Sequence, residues 1–305
     1  MPLDPVLKRY LSHLYAKGFG EIHRYTIEKL RPTLTYPPLK PHNALYTDLF
    51  TSGGLMLRAF SPTTDPTACL PGVLFVCGTA FLVDRQDASI NYCSFLANKL
   101  RMRLFNMVPR LAPEHKLDQM VHDCVQNVEW LCQQAHSLGI DPEKIAIWGE
   151  SSGGSIAASA THLLRDQDKN ILKHQTLFYP KTDYATLYPS QTEYAFGYML
   201  DRTFTEKIMA NIFSVEHNPA DPIFSPINST NFKQLPPATL ITAECDPLRD
   251  EGESYVKKLQ DAGIPVTFKR YAGMIHGFAQ FHEKIDHAKQ AVHFATTALQ
   301  DFFHP

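Results

Sequence analysis

The chain has 305 residues, of which 44% are hydrophobic and 20% are charged. This apolar content is ample for a folded core and excludes a largely disordered chain. The sequence contains no run of about 18 uncharged apolar residues, which excludes a conventional membrane span. The 29 basic and 31 acidic residues give a net charge of -2, so the charge does not favour nucleic acid or an anionic membrane as a partner.

The first residues and the cysteines bear on the cellular compartment. Residues 1–11 lack a basic segment followed by an apolar one, so the sequence predicts no secretory signal, and the expected location is the cytoplasm. The six cysteines have no spacing typical of zinc sites, and a chain of this length does not need a disulfide framework. We therefore expect most of them to be small buried apolar residues, and we expect neither a metal nor a cofactor.

The chain opens on a predicted amphipathic helix. Asp4 is suited to cap the N-terminus of this helix and Pro5 to occupy its first position, while apolar residues from Leu3 to Leu14 recur on one face. A proline-rich stretch at residues 32–41 then interrupts the helical pattern. It predicts a linker into the main domain.

Strands and helices alternate after this linker. Apolar runs predict strands at residues 55–60, 73–77, 104–108, 144–148, 177–179, 238–242 and 266–271. Helical spacing predicts helices at residues 88–100, 120–135, 248–262 and 285–302, and another that begins near residue 155. Alternation of this kind is typical of an α/β fold with a mainly parallel sheet and helices on both of its faces.

The alternation lapses between residues 181 and 232. This stretch is rich in tyrosine and phenylalanine and predicts an insertion of one or two helices with loops. Because it follows a strand end, we expect it to roof the carboxyl edge of the sheet together with the N-terminal helix; the alternative is a peripheral subdomain. The predicted organisation is a cap and linker at 1–40, a core at 41–180 and 233–305, and a cap insertion at 181–232.

The most informative motif is GESSGG at residues 149–154. It lies between an apolar strand and a helix rich in alanine, and it fits the pattern G-x-S-x-G of a nucleophile elbow. A serine on such a turn stands above the sheet, where free N–H groups at the start of the helix can stabilise a developing oxyanion. Small residues on both sides are needed because the turn is crowded. The pattern centres on Ser151; a purely structural Gly-Ser turn is the alternative.

A serine nucleophile needs a base and an orienting acid, and after this type of turn the acid and then the histidine follow in the chain. Asp246 follows the predicted strand at 238–242, and His276 follows the one at 266–271. Both positions lie at the carboxyl edge of a parallel sheet, where such a site is expected. Other nearby candidates fall inside predicted helices and are less suitable, namely Asp250, Glu251, His282 and His287.

Four segments together resemble the bacterial members of the hormone-sensitive-lipase family of α/β-hydrolase esterases. They are RLAPEH at 110–115, GESSGG at 149–154, DPLRDEG at 246–252 and GMIHGF at 273–278. The resemblance spans nearly the whole chain. It implies an α/β-hydrolase fold with a helical cap, Ser151 as the nucleophile, His276 as general base and acid, and Asp246 as the orienting carboxylate. In the first segment, we expect Arg110 and Glu114 to hold loops through charged hydrogen bonds.

The loop after the predicted strand at 73–77 departs from the family pattern. Where the family has His-Gly-Gly-Gly, this sequence has Cys77-Gly78-Thr79-Ala80. By resemblance, the backbone N–H groups of Thr79, Ala80 and Ser152 form the oxyanion hole. The β-branched Thr79 is stiffer and larger than glycine, and a thiol forms weaker hydrogen bonds than an imidazole. Two interpretations stay open: a working esterase with an altered oxyanion loop, and impaired catalysis.

The sequence as a whole predicts a serine carboxylesterase that hydrolyses short- to medium-chain esters through an acyl-enzyme on Ser151. The alternative is a non-catalytic protein that binds a small ligand on the same scaffold. The altered loop at residues 77–80 keeps this alternative open, whereas the retained His276 favours the enzyme. A peptidase or amidase of the same fold is a third hypothesis. The partners considered are a small ester and, because relatives often dimerise through a sheet edge, a second copy of the chain.

Overall fold

A computed structural model of the chain describes residues 2–34, 46–63 and 68–304. At the centre of this described part is an eight-stranded sheet in the order β1-β2-β4-β3-β5-β6-β7-β8. Its strands are β1 Tyr46–Phe50, β2 Met56–Phe60, β3 Leu70–Val76, β4 Arg103–Met107, β5 Ile140–Glu150, β6 Leu172–Phe178, β7 Ala238–Cys245 and β8 Val266–Ile275. The pairs β1–β2 and β2–β4 are antiparallel, and the remaining pairs are parallel. The predicted fold class is confirmed.

Helices cover both faces of the sheet. They are α1 Pro5–Ala16, α2 Ile27–Leu34, α3 Gln86–Leu100, α4 Leu117–Gln133, α5 Ser152–Asp166, α6 Pro189–Glu193, α7 Arg202–Ile212, α8 Arg249–Asp261 and α9 Asp286–Phe303, with 3₁₀ helices at Phe19–Arg24, Pro226–Asn228 and Phe278–Phe281. Apolar side chains of α1, α3 and α9 form one core, and those of α4, α5 and α8 form the other. Across residues 2–34, 46–63 and 68–304, none of the helices combines the length and apolar character that crossing a bilayer requires.

The two cores explain why the central strands read as continuous apolar runs. Along β3, Val73 and Phe75 enter the core formed with α1, α3 and α9, whereas Leu74 and Val76 enter the core on the opposite face. Successive strand residues point to opposite faces, so a sheet covered on both sides needs apolar residues at every position. All four side chains are fully buried.

The N-terminal helix forms as its sequence predicts. The Asp4 carboxylate accepts the N–H groups of Val6 at 2.8 Å and Leu7 at 3.4 Å, and Pro5 occupies the first turn. Leu7 and Leu11 are buried in the core that α1 shares with α3 and α9. Capping and burial of one face therefore both stabilise α1.

The prediction of a linker at residues 32–41 was wrong at its start. Helix α2 continues through Pro32, although proline lacks the N–H that a helix interior uses; residues 35–41 lie outside the described ranges. Tertiary contacts offset this loss, because Leu30 is fully buried and the Arg31 guanidinium donates to the carbonyl oxygens of Leu82 and Ala112. Local propensity is therefore overridden by packing in this segment.

The stretch from 181 to 232 contains α6, α7 and the 3₁₀ helix Pro226–Asn228, in line with the expected insertion of helices and loops. A buried ion pair between Lys181 Nζ and Glu251 Oε2, at 2.8 Å, anchors its first residues to α8. The Tyr15 hydroxyl donates to Asp201 Oδ1 at 2.5 Å and joins the N-terminal segment to the same stretch. These two segments therefore contact each other directly.

Two buried histidines are expected to make the fold sensitive to acid. His162 on α5 and His174 on β6 are buried, and this burial lowers the pKa of each imidazole from 6.5 to about 3. The unfolded chain takes up these protons near pH 6.5, whereas the folded chain does not, so stability falls as the pH drops from about 6.5 towards 3. At pH 5, each histidine is expected to lower the free energy of unfolding by about 2 kcal/mol.

Urea unfolding at pH 7 and pH 5 measures this loss of stability. The variant His174→Gln has one fewer buried titrating group, and we expect its loss between the two pH values to be about 2 kcal/mol smaller than that of the wild type. The exposed His136 provides the matched control, His136→Gln, because its side chain faces water in the folded protein. An equal loss in His174→Gln and the wild type would contradict the prediction.

Candidate active site

Ser151 stands on a sharp turn between β5 and α5. Its backbone has φ +56° and ψ -120°, a conformation that residues other than glycine rarely adopt and that persists at functional turns. The Ser151 N–H holds the turn by donating to the Phe178 carbonyl at 3.0 Å. A Cβ atom on Gly153 would lie 1.9 Å from the Val76 carbonyl oxygen, and one on Gly149 would lie 2.5 Å from the Gly153 carbonyl oxygen. The small residues on both sides of the serine are therefore a steric requirement.

Ser151, His276 and Asp246 lie in one chain of hydrogen bonds. Ser151 Oγ and His276 Nε2 are 2.7 Å apart, and His276 Nδ1 is 2.8 Å from Asp246 Oδ2. Asp246 is fully buried, and its other oxygen accepts the N–H of Leu248 at 2.8 Å. An ionised carboxylate only accepts hydrogen bonds, so it favours the imidazole hydrogen on Nδ1 and leaves Nε2 able to take a proton. This arrangement can remove the hydroxyl proton of Ser151 as its oxygen attacks a carbonyl carbon.

The two partners of Ser151 follow neighbouring strands. Asp246 is the first residue after β7 and His276 the first after β8, and these parallel strands bring both side chains to the carboxyl edge of the sheet. Both strands extend a few residues beyond their predicted ends. The competing acids Asp250 and Glu251 lie in α8, as predicted, and their carboxylates bind groups between residues 181 and 191 instead of His276.

The competing histidines lie outside this chain of hydrogen bonds. His287 is in α9, as predicted, but the prediction of a helix around His282 was wrong. His282 follows the 3₁₀ helix Phe278–Phe281, and its ring stacks on Phe95 with 4.7 Å between the ring centroids.

In the described part of the chain, no group of three or more His, Cys, Asp or Glu side chains is arranged to hold a metal ion.

The loop after β3 carries the N–H groups that were expected to form an oxyanion hole. Ala80 and Phe81 have φ values of +48° and +60°, so Ala80 adopts a conformation that glycine would adopt without strain. The N–H groups of Ala80 and Ser152 have no acceptor among the described residues. The Thr79 N–H differs from the expectation, because it donates to Ser152 Oγ at 2.8 Å. One of the three expected donors is thus bonded to a side chain.

Cys77 stands where the family has histidine. It is buried directly after β3, and burial raises the pKa of its thiol to about 11. The thiol therefore stays protonated at neutral pH, whereas nucleophilic cysteines react as thiolates. Cys77 acts as a small apolar residue beneath the loop and does not compete with Ser151.

Glu150, which precedes Ser151, is a buried carboxylate that the sequence motifs did not single out. Its oxygens accept hydrogen bonds at 2.8 to 3.4 Å from Tyr92, Trp148, Tyr179 and Gln280. Burial raises the pKa of this carboxyl group. The Tyr179 ring lies 5.0 Å from the His276 ring. Because the Tyr179 hydroxyl donates to Glu150, this carboxylate connects the serine turn to an aromatic ring that packs beside the imidazole. An acid at the end of a buried apolar strand was the signal that could have revealed it.

The segment at 110–115 holds loops, as its charged residues predict. Arg110 donates two hydrogen bonds of 2.6 Å to Asp123 of α4, and Arg31 of α2 donates hydrogen bonds of 2.9 Å and 2.6 Å to Glu114. Paired bonds of this kind fix the relative orientation of the planar groups. Arg110 and Glu114 thereby fasten the segment to α4 and α2.

A cavity of about 310 Å³ lies between the insertion and the turn that follows Asp246. Its walls combine apolar and polar side chains with charges of both signs, among them Lys181, Tyr184, Leu200, Arg202, Glu206 and Met209. Many aromatic residues of the insertion belong instead to the core, including Phe204 and Phe224.

Comparisons with known sequences agree with this geometry. The family model for the α/β hydrolase fold matches residues 73–280, a range that contains all three residues of the hydrogen-bonded chain. The carboxylesterase NlhH of Mycobacterium tuberculosis is 35% identical, over 99% of this chain and 97% of its own length. An arylesterase of Saccharolobus solfataricus is 30% identical, over 91% of this chain and 92% of its own.

Solved structures of ester hydrolases are also similar to this chain. A hyperthermophilic esterase from Pyrobaculum calidifontis has a TM-score of 0.90 and 29% sequence identity with this chain, and the alignment covers 100% of both chains. An ester hydrolase from a lake metagenome has a TM-score of 0.91 at 26% identity, and the alignment covers 99% of this chain and 100% of that one. The chain therefore belongs to the α/β-hydrolase family, among the esterases related to hormone-sensitive lipase.

Proposed function

We propose that this chain is a serine carboxylesterase, with Ser151 as the nucleophile, His276 as general base and acid, and Asp246 as the orienting carboxylate. The observation that carries the proposal is the unbroken chain of hydrogen bonds, 2.7 Å and 2.8 Å long, from Ser151 Oγ through the imidazole to the buried carboxylate. A protein that only binds a ligand has no need for this arrangement. The complete chain of groups therefore argues against the non-catalytic alternative.

In the proposed reaction, Ser151 Oγ attacks the ester carbonyl carbon while His276 Nε2 accepts the hydroxyl proton. The carbonyl oxygen becomes negatively charged and faces the N–H groups of Ala80 and Ser152. The imidazolium then gives its proton to the alcohol oxygen as the C–O bond breaks, which leaves an acyl group on Ser151. Water attacks this acyl group with His276 again as the base, and His276 then returns the proton to Ser151 Oγ as the C–O bond breaks and the acid is released. Asp246 stabilises the imidazolium in both halves of the reaction.

We assign residues 1–40 and 181–232 to a cap over the site, and residues 41–180 and 233–305 to the catalytic core. The Tyr15–Asp201 hydrogen bond supports this division because it joins the two parts of the cap. By family resemblance, the acyl groups accepted at the site are of short or medium length.

Hydrolysis of p-nitrophenyl esters from acetyl to lauroyl tests the proposed activity. We expect turnover with short and medium acyl chains, a decline with the longest chains, and much slower cleavage of the matched p-nitroanilides, because an anilide is the harder bond to break. Equal rates on esters and anilides would favour an amidase. Binding of intact ester without turnover of any member would favour the ligand-binding alternative.

We further propose that two chains associate through the open edge of the sheet at β8. This strand is at one end of the sheet, and Phe268 on it is 37% exposed. An open edge offers unpaired backbone groups to a second strand. Light scattering after gel filtration is expected to give twice the mass of one chain, and the mass of a monomer would contradict this assembly.

The six cysteines support a reducing compartment such as the cytoplasm. All six are free thiols, and most of them are buried. Unpaired buried thiols are common in proteins of reducing compartments, whereas exported proteins tend to form disulfides.

A further inference from the structure

Ser152, the residue after the proposed nucleophile, has a hydroxyl group that accepts a hydrogen bond but donates none within the described residues. Its side chain is buried, with 3% of the residue exposed, and its Oγ accepts the Thr79 N–H at 2.8 Å. Within the described ranges, no group accepts the hydrogen of this hydroxyl. Buried hydroxyl groups normally use their donor as well as their acceptor capacity. The hydrogen is therefore available to an atom that does not belong to the chain.

The surroundings of this hydroxyl belong to the expected oxyanion hole. Ser152 is the first residue of α5, and its own N–H is one of the two N–H groups of the expected oxyanion hole that lack an acceptor in the described chain. The loop that carries Thr79 presses against the serine turn, since a Cβ atom on Gly78 would lie 3.0 Å from Ser151 Cβ. The hydroxyl thus lies between the serine turn and the oxyanion loop. An oxygen atom bonded to the attacked carbon would develop its charge in this space.

We propose that the Ser152 hydroxyl donates a hydrogen bond to the oxyanion. It replaces the Thr79 N–H, which is already bonded to Ser152 Oγ. This inference rests on the proposed esterase function. The Thr79 N–H donates to the hydroxyl oxygen and polarises it, which makes the hydroxyl a stronger donor. The oxyanion then receives hydrogen bonds from the Ser152 O–H, the Ser152 N–H and the Ala80 N–H.

This arrangement gives a chemical role to the departure from the family's glycine-rich loop. The Thr79 N–H does not need to donate to the substrate directly. It donates to Ser152 Oγ, and the Ser152 O–H donates to the oxyanion in its place. Removal of a single oxyanion donor costs about 10² to 10³ in rate in enzymes of this type. The proposed donor therefore predicts a measurable loss when the hydroxyl alone is removed.

Kinetics of Ser152→Ala test the inference. We expect kcat for p-nitrophenyl butyrate to fall by about 10²-fold while KM stays within about twofold, because the donor acts mainly on the charge of the transition state. Affinity for an aryl trifluoromethyl ketone, which forms a tetrahedral adduct with a reactive serine, is expected to weaken by a similar factor. Ser159→Ala is the matched control: it removes a buried hydroxyl of the same helix whose Oγ has no partner within the described residues. Its kcat is expected to equal that of the wild type.

A second variant separates loss of the donor from loss of packing. Ser152→Cys keeps a side chain of similar size but offers only a weak donor, so we expect it to lose kcat to an extent similar to Ser152→Ala. Wild-type or faster turnover in either variant would overturn the inference, because the hydroxyl would then only be blocking the Thr79 N–H. Failure of the proposed function gives a different result, in which the wild type itself turns over no ester or Ser151→Ala retains the wild-type rate.

Discussion

Replacement of Ser151 by alanine is expected to lower kcat for p-nitrophenyl butyrate by about 10⁶-fold, the loss that follows removal of the nucleophile from a triad of this kind. Ser151 Oγ is the atom that would carry the acyl group, and its neighbours cannot replace it. The Cys77 thiol is buried with a raised pKa, and Ser152 Oγ is bonded to the Thr79 N–H. Residual hydrolysis would come from bound water and the remaining oxyanion donors.

The fold of Ser151→Ala should be unchanged, because alanine keeps the Cβ atom and the strained turn is held by backbone groups. Thermal unfolding monitored by circular dichroism, compared with the wild type and Ser159→Ala, checks this point. If a purified and folded Ser151→Ala protein kept more than about one hundredth of the wild-type kcat, Ser151 would not be the nucleophile.

Replacement of Asp246 by asparagine is expected to lower kcat by about 10⁴-fold with little change in KM. The two side chains have the same shape, but an amide in this position can donate to Nδ1 of His276. The imidazole hydrogen then moves to Nε2, which can no longer take the proton of Ser151. The amide also cannot stabilise the imidazolium that forms during the reaction. Steady-state kinetics on the same ester series measure the loss.

Asp250→Asn is the matched control for this change. Asp250 lies four residues further along the chain, and its carboxylate accepts the Ser190 N–H at 2.8 Å and pairs with Arg249. We expect its kcat to stay within a few-fold of the wild type. A large loss in Asp250→Asn together with a small loss in Asp246→Asn would show that the orienting role belongs to Asp250 instead.

Much of the site could be predicted because its geometry depends on short stretches of sequence. The serine turn needs small residues at Gly149 and Gly153, and this steric requirement appears in the amino-acid sequence as a short motif. Asp246 and His276 follow strands whose apolar runs are recognisable, and parallel strands bring their ends to one edge. The three side chains named from the sequence are linked by hydrogen bonds, Ser151 to His276 and His276 to Asp246.

The parts that sequence reasoning missed depend on contacts between distant residues. The bond between Thr79 and Ser152 joins residues 73 positions apart and is set by a side-chain rotamer, which no local pattern specifies. Glu150 is satisfied by four side chains, of which Tyr92 and Gln280 come from segments far along the chain. Such contacts exist only once the chain has folded.

Two elements of secondary structure were also not predicted from the sequence. Helix α2 continues through Pro32 because Arg31 and Leu30 have tertiary partners. Strand β1 was not predicted, and it is an edge strand with a largely exposed pattern that gives little apolar signal.

A covalent acyl-enzyme on Ser151 is tested most directly by locating a covalent label on the protein. The protein would be treated with a fluorophosphonate, which reacts with activated serine residues, and analysed by intact mass and peptide mapping. We predict one adduct per chain, located on Ser151, with loss of esterase activity in proportion to labelling. Absence of an adduct, or loss of activity through an adduct on another residue with Ser151 unmodified, would contradict this account.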